Sequence, residues 1–154
     1  MSQAPFEPPF RNFGCQLVEA LTDQQVEQLL SLLQQQWWGR QRTLEQVQRM
    51  LENTSLILGV VDSNSDQLVA FCRVLTDFAF RATIYDVMVD KGWQGRGLGD
   101  ALMQQLCDDP RLKQVSLIYL CCEETLVPFY ERRGFSAYSG RAQWMIKVQQ
   151  KEEE

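Results

Sequence analysis

Between residues 82 and 122 the apolar positions change period twice. Ala82-Thr83-Ile84-Tyr85-Asp86-Val87-Met88-Val89 is rich in β-branched and aromatic residues and reads as a strand. Leu98, Ala101, Leu102 and Leu106 then recur at helical spacing, with Gln104, Gln105 and Asp108 turned outward. Val115-Ser116-Leu117-Ile118-Tyr119-Leu120-Cys121-Cys122 repeats the buried-strand pattern. Strand, helix and strand in this order predict two parallel strands joined by a right-handed crossover.

The flanking patterns fill in a mixed sheet. Cys15 to Ala20 reads as a first strand. Thr22 and Gln25 have capping-box spacing, followed by an apolar stripe at Val26, Leu29, Leu30 and Leu33. Thr43 and Gln46 repeat the cap before Leu44, Val47, Met50 and Leu51, so two helices flank Gln36-Trp37-Trp38-Gly39-Arg40. Ser55 to Val61 and Gln67 to Leu75 read as a hairpin around the turn-rich 62–66 segment, which the 82–89 strand continues. Short strands are expected at 135–138 and 142–148, divided by Ser139-Gly140. Periodicity supports a mixed α/β (α+β) sheet with helices on its faces. Residues 1–13, with three prolines and with Phe6, Phe10 and Phe13, read as an irregular arm whose aromatics pack on the domain. Residues 14–149 then make one domain, and 150–154 a charged, solvated tail.

Composition narrows the chemistry by exclusion. None of the 154 residues is histidine, which removes Ser-His-Asp and Cys-His sites and the usual His-containing zinc sites. No metal is expected. A net charge of −5 disfavours a nucleic-acid partner, because phosphate contacts demand a basic surface. It is compatible with a cationic amine. No apolar run is long enough to span a bilayer, and the N-terminus lacks a basic-then-apolar leader pattern, so no membrane partner is expected. Five cysteines without a C-x-x-C pair read as thiols in a reducing cytoplasm.

One hexapeptide then carries most of the functional information. Gln94-Gly95-Arg96-Gly97-Leu98-Gly99 lies between the 82–89 strand and the next helix. Glycines there allow a close approach to the main chain, and a helix starting there aims unpaired N–H groups and its positive dipole end at an anion. The segment lacks the Gly-Lys-Ser/Thr ending of a P-loop and the G-x-G-x-x-G spacing of a dinucleotide fold. It does match Gln-x-x-Gly-x-Gly. Downstream, Phe129-Tyr130-Glu131-Arg132-Arg133-Gly134-Phe135 matches Phe-Tyr-x-x-x-Gly-Phe.

These two motifs, in this order, resemble the signatures of the GNAT (Gcn5-related N-acetyltransferase) superfamily, as found in single-domain bacterial-type members. The resemblance is strong over residues 56–148 and weak over the first 50. It implies the fold order β-α-α-β-β-β-α-β-α-β-β, with splayed parallel strands at the cofactor site. It also implies acetyl-CoA as acyl donor, and transfer of the acetyl group to a primary amine of a small molecule or a protein. Backbone at Val87, Met88 and Val89 would hold the pantetheine arm. Residues Gly95, Arg96, Gly97, Leu98 and Gly99, with Gln94, would take the pyrophosphate, and Phe129 would close the site. Glu123 stands where many members carry an Asn that contacts the cofactor. That departure puts the contact in doubt and supplies another carboxylate.

The same resemblance gives Tyr130 the role of acid toward the departing thiolate; a phenol can protonate a thiolate only mildly uphill. A core aromatic is the alternative. Asp86, mid-strand among apolar neighbours, is either base or anchor for the amine, or a structural bridge to Arg73 or Arg81. Tyr85 and Asp86 are expected on opposite faces of the strand. Trp37 and Trp38, with Arg73 and Tyr85, are candidates for the acceptor wall, where the tryptophans either cage an amine or anchor their loop. A longer acyl-CoA, or a non-catalytic CoA-binding module, are the competing functions. A monomer or homodimer is expected.

Overall fold

The computed structural model describes residues 9–150. Most of the expected N-terminal arm, with Phe6, and nearly all of the charged tail lie outside these residues. The remainder of the arm, Pro9–Phe13, is a 3₁₀ turn, with Phe10 wholly buried and Phe13 packed on the core, as expected of these aromatics.

Five strands form one sheet in the order β1-β2-β3-β4-β5. They are β1 (Cys15–Val18), β2 (Leu56–Asp62), β3 (Leu68–Thr76), β4 (Arg81–Val89) and β5 (Leu117–Leu120). The first four pair antiparallel in succession, and β5 runs parallel to β4. Helix α3 (Leu98–Cys107) makes the crossover between the two parallel strands. Its buried Leu98, Ala101, Leu102, Met103 and Leu106 cover one face, against Leu58, Cys72, Val74, Ala82 and Ile84. Helices α1 (Asp23–Gln34) and α2 (Leu44–Glu52) cover the other, where Leu29, Leu33 and Val47 meet Phe71 and Met88. Both start at full capping boxes, Thr22 with Gln25 and Thr43 with Gln46. These satisfy N–H groups that a helix start otherwise leaves open. A short helix, α4 (Val127–Glu131), follows β5.

Two bulges interrupt the strand alternation. Leu68 opposes Val61 but Ala70 opposes Val60, so Val69 is the extra residue in β3. In β4, Asp86 and Val87 together oppose Cys72, since Phe71 pairs with Met88 and Arg73 with Tyr85. Asp86 takes the left-handed conformation there, φ +56°. Asp is one of the few side chains that tolerate this region.

The C-terminal end departs from expectation. Residues 135–138 and 142–148 form no strand. Residues 142–148 are exposed, and Trp144 and Tyr138 lie edge-on to Tyr119 at centroid distances of 4.9 and 6.4 Å. A groove of about 830 Å³, lined by β5, α4 and residues 133–140, separates the outer edge of β5 from this segment. An alternating sequence becomes a strand only when a partner edge lies within ladder distance. Here that edge is held off.

Candidate active site

The ladder between β4 and β5 is short. It joins Arg81 to Leu117, Ala82 to Ile118, Thr83 to Tyr119 and Ile84 to Leu120, and stops there. Beyond Ile84, β4 continues to Val89 with β3 on one side and, among the described residues, no strand on the other. The side of β4 turned away from β3 is therefore an open edge from Asp86 to Val89, a slot beyond the end of β5. A slot of this kind suits an extended ligand that carries its own amides, because buried backbone donors and acceptors need partners.

The slot ends at the glycine turn. Gln94 Nε2 donates to the Val89 carbonyl at 2.9 Å, tying the turn to the end of β4. Gly95 and Gly97 have φ of +77° and +87°, and Gly97 is the N-cap of α3. The cap has no side chain, and the first intrahelical bond comes from Ala101 N–H to the Gly97 carbonyl, 3.1 Å. The N–H groups of Leu98, Gly99 and Asp100 precede it and carry the positive end of the helix dipole. Arg96 is exposed beside them, its guanidinium 4.8 Å from the Trp93 ring centroid. An added methyl at Gly99 would meet Phe129 and Val89 at ordinary contact distances, 3.5 and 3.6 Å. Protein packing therefore leaves room there.

Helix α4 closes the same end. Phe129 and Tyr130 stack edge-on at 4.9 Å, and Phe135 packs on Tyr130 at 6.1 Å. Gly134, φ +86°, returns the chain so that Phe135 N–H reaches the Tyr130 carbonyl, 3.3 Å. Arg132 and Arg133 pair with Asp100 in the first turn of α3, at 3.3 and 3.6 Å, fastening α4 to the cradle. Tyr130 is 7% exposed. Burial, then the neighbouring thiols of Cys122 and Cys72, push its hydroxyl up to about 12. The phenol thus holds its proton throughout the neutral range.

On the α1–α2 face of β4 lies a charged cluster. Asp86, its side chain 4% exposed, accepts from Arg73 Nε at 2.7 Å and from Arg42 Nη1 at 3.0 Å. Arg73 also lies 4.8 Å from the Tyr85 ring centroid. Tyr85 and Asp86 therefore meet the same side chain and do not face opposite ways. The bulge inserts a residue, and strict alternation fails across it. Of the two bridges considered for Asp86, that to Arg73 is formed, while Arg81 Nη1 bonds the Phe80 carbonyl.

Nothing in the sequence marks Arg42. It follows the double-tryptophan turn, where only the Thr43 cap is recognisable. Arg42 lies 5.2 Å from the Trp38 ring centroid, and Trp38 packs on the α1–α2 core. Trp38 is thus an anchor. Trp37, 40% exposed, donates its indole N–H to Glu123 just beyond β5. The loop after α1 is in this way tied to both strands that bound the slot. An added Cβ at Gly39 would overlap the Leu33 carbonyl, so this turn requires glycine for space.

Pantetheine-like amides fit the slot and a pyrophosphate fits the cradle: the first has unpaired strand edge, the second free N–H groups and Arg96. Among the described residues no group of His, Cys, Asp and Glu is placed to hold a metal ion. No helix among them is long and apolar enough to cross a membrane.

Comparison with known proteins agrees with this geometry. The model of the acetyltransferase (GNAT) family matches residues 16–135. The uncharacterized N-acetyltransferase ycf52 of Porphyra purpurea is 38% identical over 96 residues, 61% of this chain and 55% of that protein. The chloroplastic serotonin N-acetyltransferase 2 of rice (Oryza sativa subsp. japonica) is 38% identical over 97 residues, 62% of this chain and 48% of that one. The chain thus spans about half the length of these curated relatives. A Xanthomonas campestris crystal structure assigned to the GNAT family superposes with a TM-score of 0.72 at 28% identity. It covers 80% of this chain and 85% of its own.

Proposed function

Because this chain belongs to the GNAT acetyltransferase family, we propose that it is an acetyl-CoA-dependent N-acetyltransferase acting on a primary amine by direct attack in a ternary complex. The observation that carries this reading is the end of the β4–β5 ladder at Ile84 and Leu120, with the glycine cradle and Tyr130 beside the gap it opens. The acceptor is a small-molecule or protein amine; the rice relative, a serotonin N-acetyltransferase by name, supports the small-molecule form.

Bound acetyl-CoA supplies the activated acyl group. The chain's own contribution is to hold it extended along Val87 to Val89 and to take its phosphates on the N–H groups of residues 97–100 and on Arg96. Holding donor and acceptor in one cleft contributes by proximity and orientation. Backbone N–H groups of the β4 bulge, unpaired on the β5 side, are suited to meet the developing oxyanion. Tyr130 gives its proton to the departing sulfur. Burial makes this phenol a weaker acid than a free one, and it keeps its proton until the sulfur departs.

Asp86 serves this chemistry as a positioning residue. Its carboxylate is buried and engaged by two guanidinium groups, so it is occupied in holding the arginines and is not turned to the amine. Glu123, exposed at the mouth of the slot, is the better base, directly or through water.

Thiol release from acetyl-CoA over a panel of amines, with calorimetry of acetyl-CoA binding, tests the proposal. Saturable binding with amine-dependent thiol release is expected. Binding without release for any amine would favour a non-catalytic CoA-binding module, and no binding at millimolar cofactor would sink both. Faster turnover with a longer acyl-CoA would replace the donor.

A further inference from the structure

Arg42 and Arg73 spend their charge on one oxygen. Both reach Asp86 Oδ2, and neither ion-pairs with any other described carboxylate. The remaining arginine pairs lie elsewhere: Arg49 with Glu45, Arg111 with Asp109 and Glu19, and Arg132 and Arg133 with Asp100. Two guanidinium groups against one carboxylate leave one positive charge over. It is held 26% exposed on Arg42 and 12% on Arg73, beside the stretch of β4 that has lost β5.

The geometry of the pairs leaves donors to spare. Arg73 uses only Nε on Asp86 and Arg42 only Nη1, so both Nη groups of Arg73 and Nη2 of Arg42 are not spent on it. Both planes are held against aromatic rings, Arg73 on Tyr85 and Arg42 on Trp38. A fixed, planar fork with free N–H groups is the form in which arginine grips carboxylate or phosphate. A purely structural bridge needs one arginine here. The second, on the loop that carries Trp37, adds a positive charge that its partial exposure leaves within reach of an anion.

We propose that Arg42 and Arg73 form an anion subsite for the acceptor, so that the preferred substrate is a primary amine carrying a carboxylate or phosphate close to the amine. This rests on the N-acetyltransferase reading above. The anion neutralises the surplus charge and fixes the acceptor at one end, leaving its amine free to turn toward the β4 bulge. Asp86 is then the residue that sets the two forks. It also lowers the site's charge from two to one, so the product can leave.

The test is thiol release with matched acceptors: β-alanine against propylamine, and phosphoethanolamine against ethanolamine. At least tenfold higher kcat/KM for the anionic member of one pair is expected, expressed mainly in KM, and the pair that responds tells carboxylate from phosphate. Arg42→Gln should bring that ratio to within about twofold while acetyl-CoA affinity stays unchanged. The wild-type ratios need no variant to fold. Neutral amines acetylated as well as their anionic partners, in both pairs, would overturn the subsite and leave the transferase reading standing. Where no amine releases thiol, phosphoethanolamine and β-alanine are titrated into the CoA complex. Saturation abolished by Arg42→Gln supports the subsite even though the transferase reading has failed for these acceptors. No saturation overturns it.

Discussion

Asp86 accepts a hydrogen bond from Arg73 Nε at 2.7 Å, across a bulge in which Asp86 itself has a φ of +56°. Conformation and charge are both out of the ordinary at this one position, and each explains the other. The bulge turns the carboxylate toward Arg73 and Arg42, and the two arginines hold the strand in the bulge. A single side chain thus joins β3, β4 and the loop after α1 at the open side of the sheet.

Asp86→Asn isolates the charge, because Asn also tolerates the left-handed region. It leaves two buried or half-buried guanidinium groups facing each other without a counter-ion. A loss of about 2–4 kcal/mol is expected in denaturant unfolding. Any loss of turnover should track that instability and the acceptor KM. Unchanged stability with abolished turnover would instead make Asp86 the base.

Gly99→Ala separates cradle from fold. The added methyl meets Phe129 and Val89 at ordinary distances in the first turn of α3, and replacing glycine there lowers the freedom of the unfolded chain, worth about 0.4–1 kcal/mol. Thermal stability should hold or rise slightly. The same methyl would stand beside Phe129 and Val89 at the edge of the cradle, so acetyl-CoA affinity should fall about tenfold by calorimetry. Unchanged affinity would move the phosphate site away from α3.

Tyr130→Phe removes the acid while keeping the aromatic stack on Phe129 and Phe135. Turnover should fall about a hundredfold with cofactor affinity nearly constant. The pH dependence is also determined. Burial pushes the native hydroxyl up to about 12, against about 10 in the unfolded chain. The unfolded chain therefore loses this proton first as pH rises. Stabilisation present below pH 10 disappears as pH climbs through about 12, a difference of about 2–3 kcal/mol. Alkaline unfolding of the Phe variant should lack that portion of the decline. Turnover of the native protein should show no alkaline limb from Tyr130 below pH 10.

These sites differ in how far the sequence discloses them, and the reason is range. The glycine turn and the Phe129–Tyr130 helix are local. Their backbone demands sit in consecutive residues, so spacing suffices to find them. The parallel pair is legible because its two apolar runs flank one amphipathic helix. The Asp86 bulge is not, because alternation is the rule used to assign faces and a bulge suspends it. Arg42 lies 44 positions from Asp86, and Trp37 lies 86 from Glu123. No periodicity connects residues so far apart. The C-terminal strands fail for a related reason. Residues 142–148 alternate as a strand should, yet Trp144 is 66% and Met145 90% exposed, and their backbone pairs with no strand edge. Pattern shows what a segment is able to pair with, and only the fold decides whether a partner is there.

The Trp37–Glu123 hydrogen bond spans the mouth of the slot, linking the acceptor loop to the residue after β5. Both groups are exposed, so the bond should contribute well under 1 kcal/mol to stability. Its consequence is positional. Without the indole N–H, Glu123 is free to turn from the slot and the loop loses its tie to the β5 side. Trp37→Phe keeps the aromatic surface and deletes only the donor. Its melting temperature should lie within about 2 °C of the parent, consistent with a small surface contribution. Acceptor KM should rise several-fold, and acetyl-CoA affinity should change by less than about twofold, since the cradle at Gly97 is untouched. With Glu123 as the base, the same variant should also lower kcat several-fold, and Glu123→Gln should lower it further. A Trp37→Phe enzyme with parental acceptor KM and parental kcat would show that the bond positions neither substrate nor base.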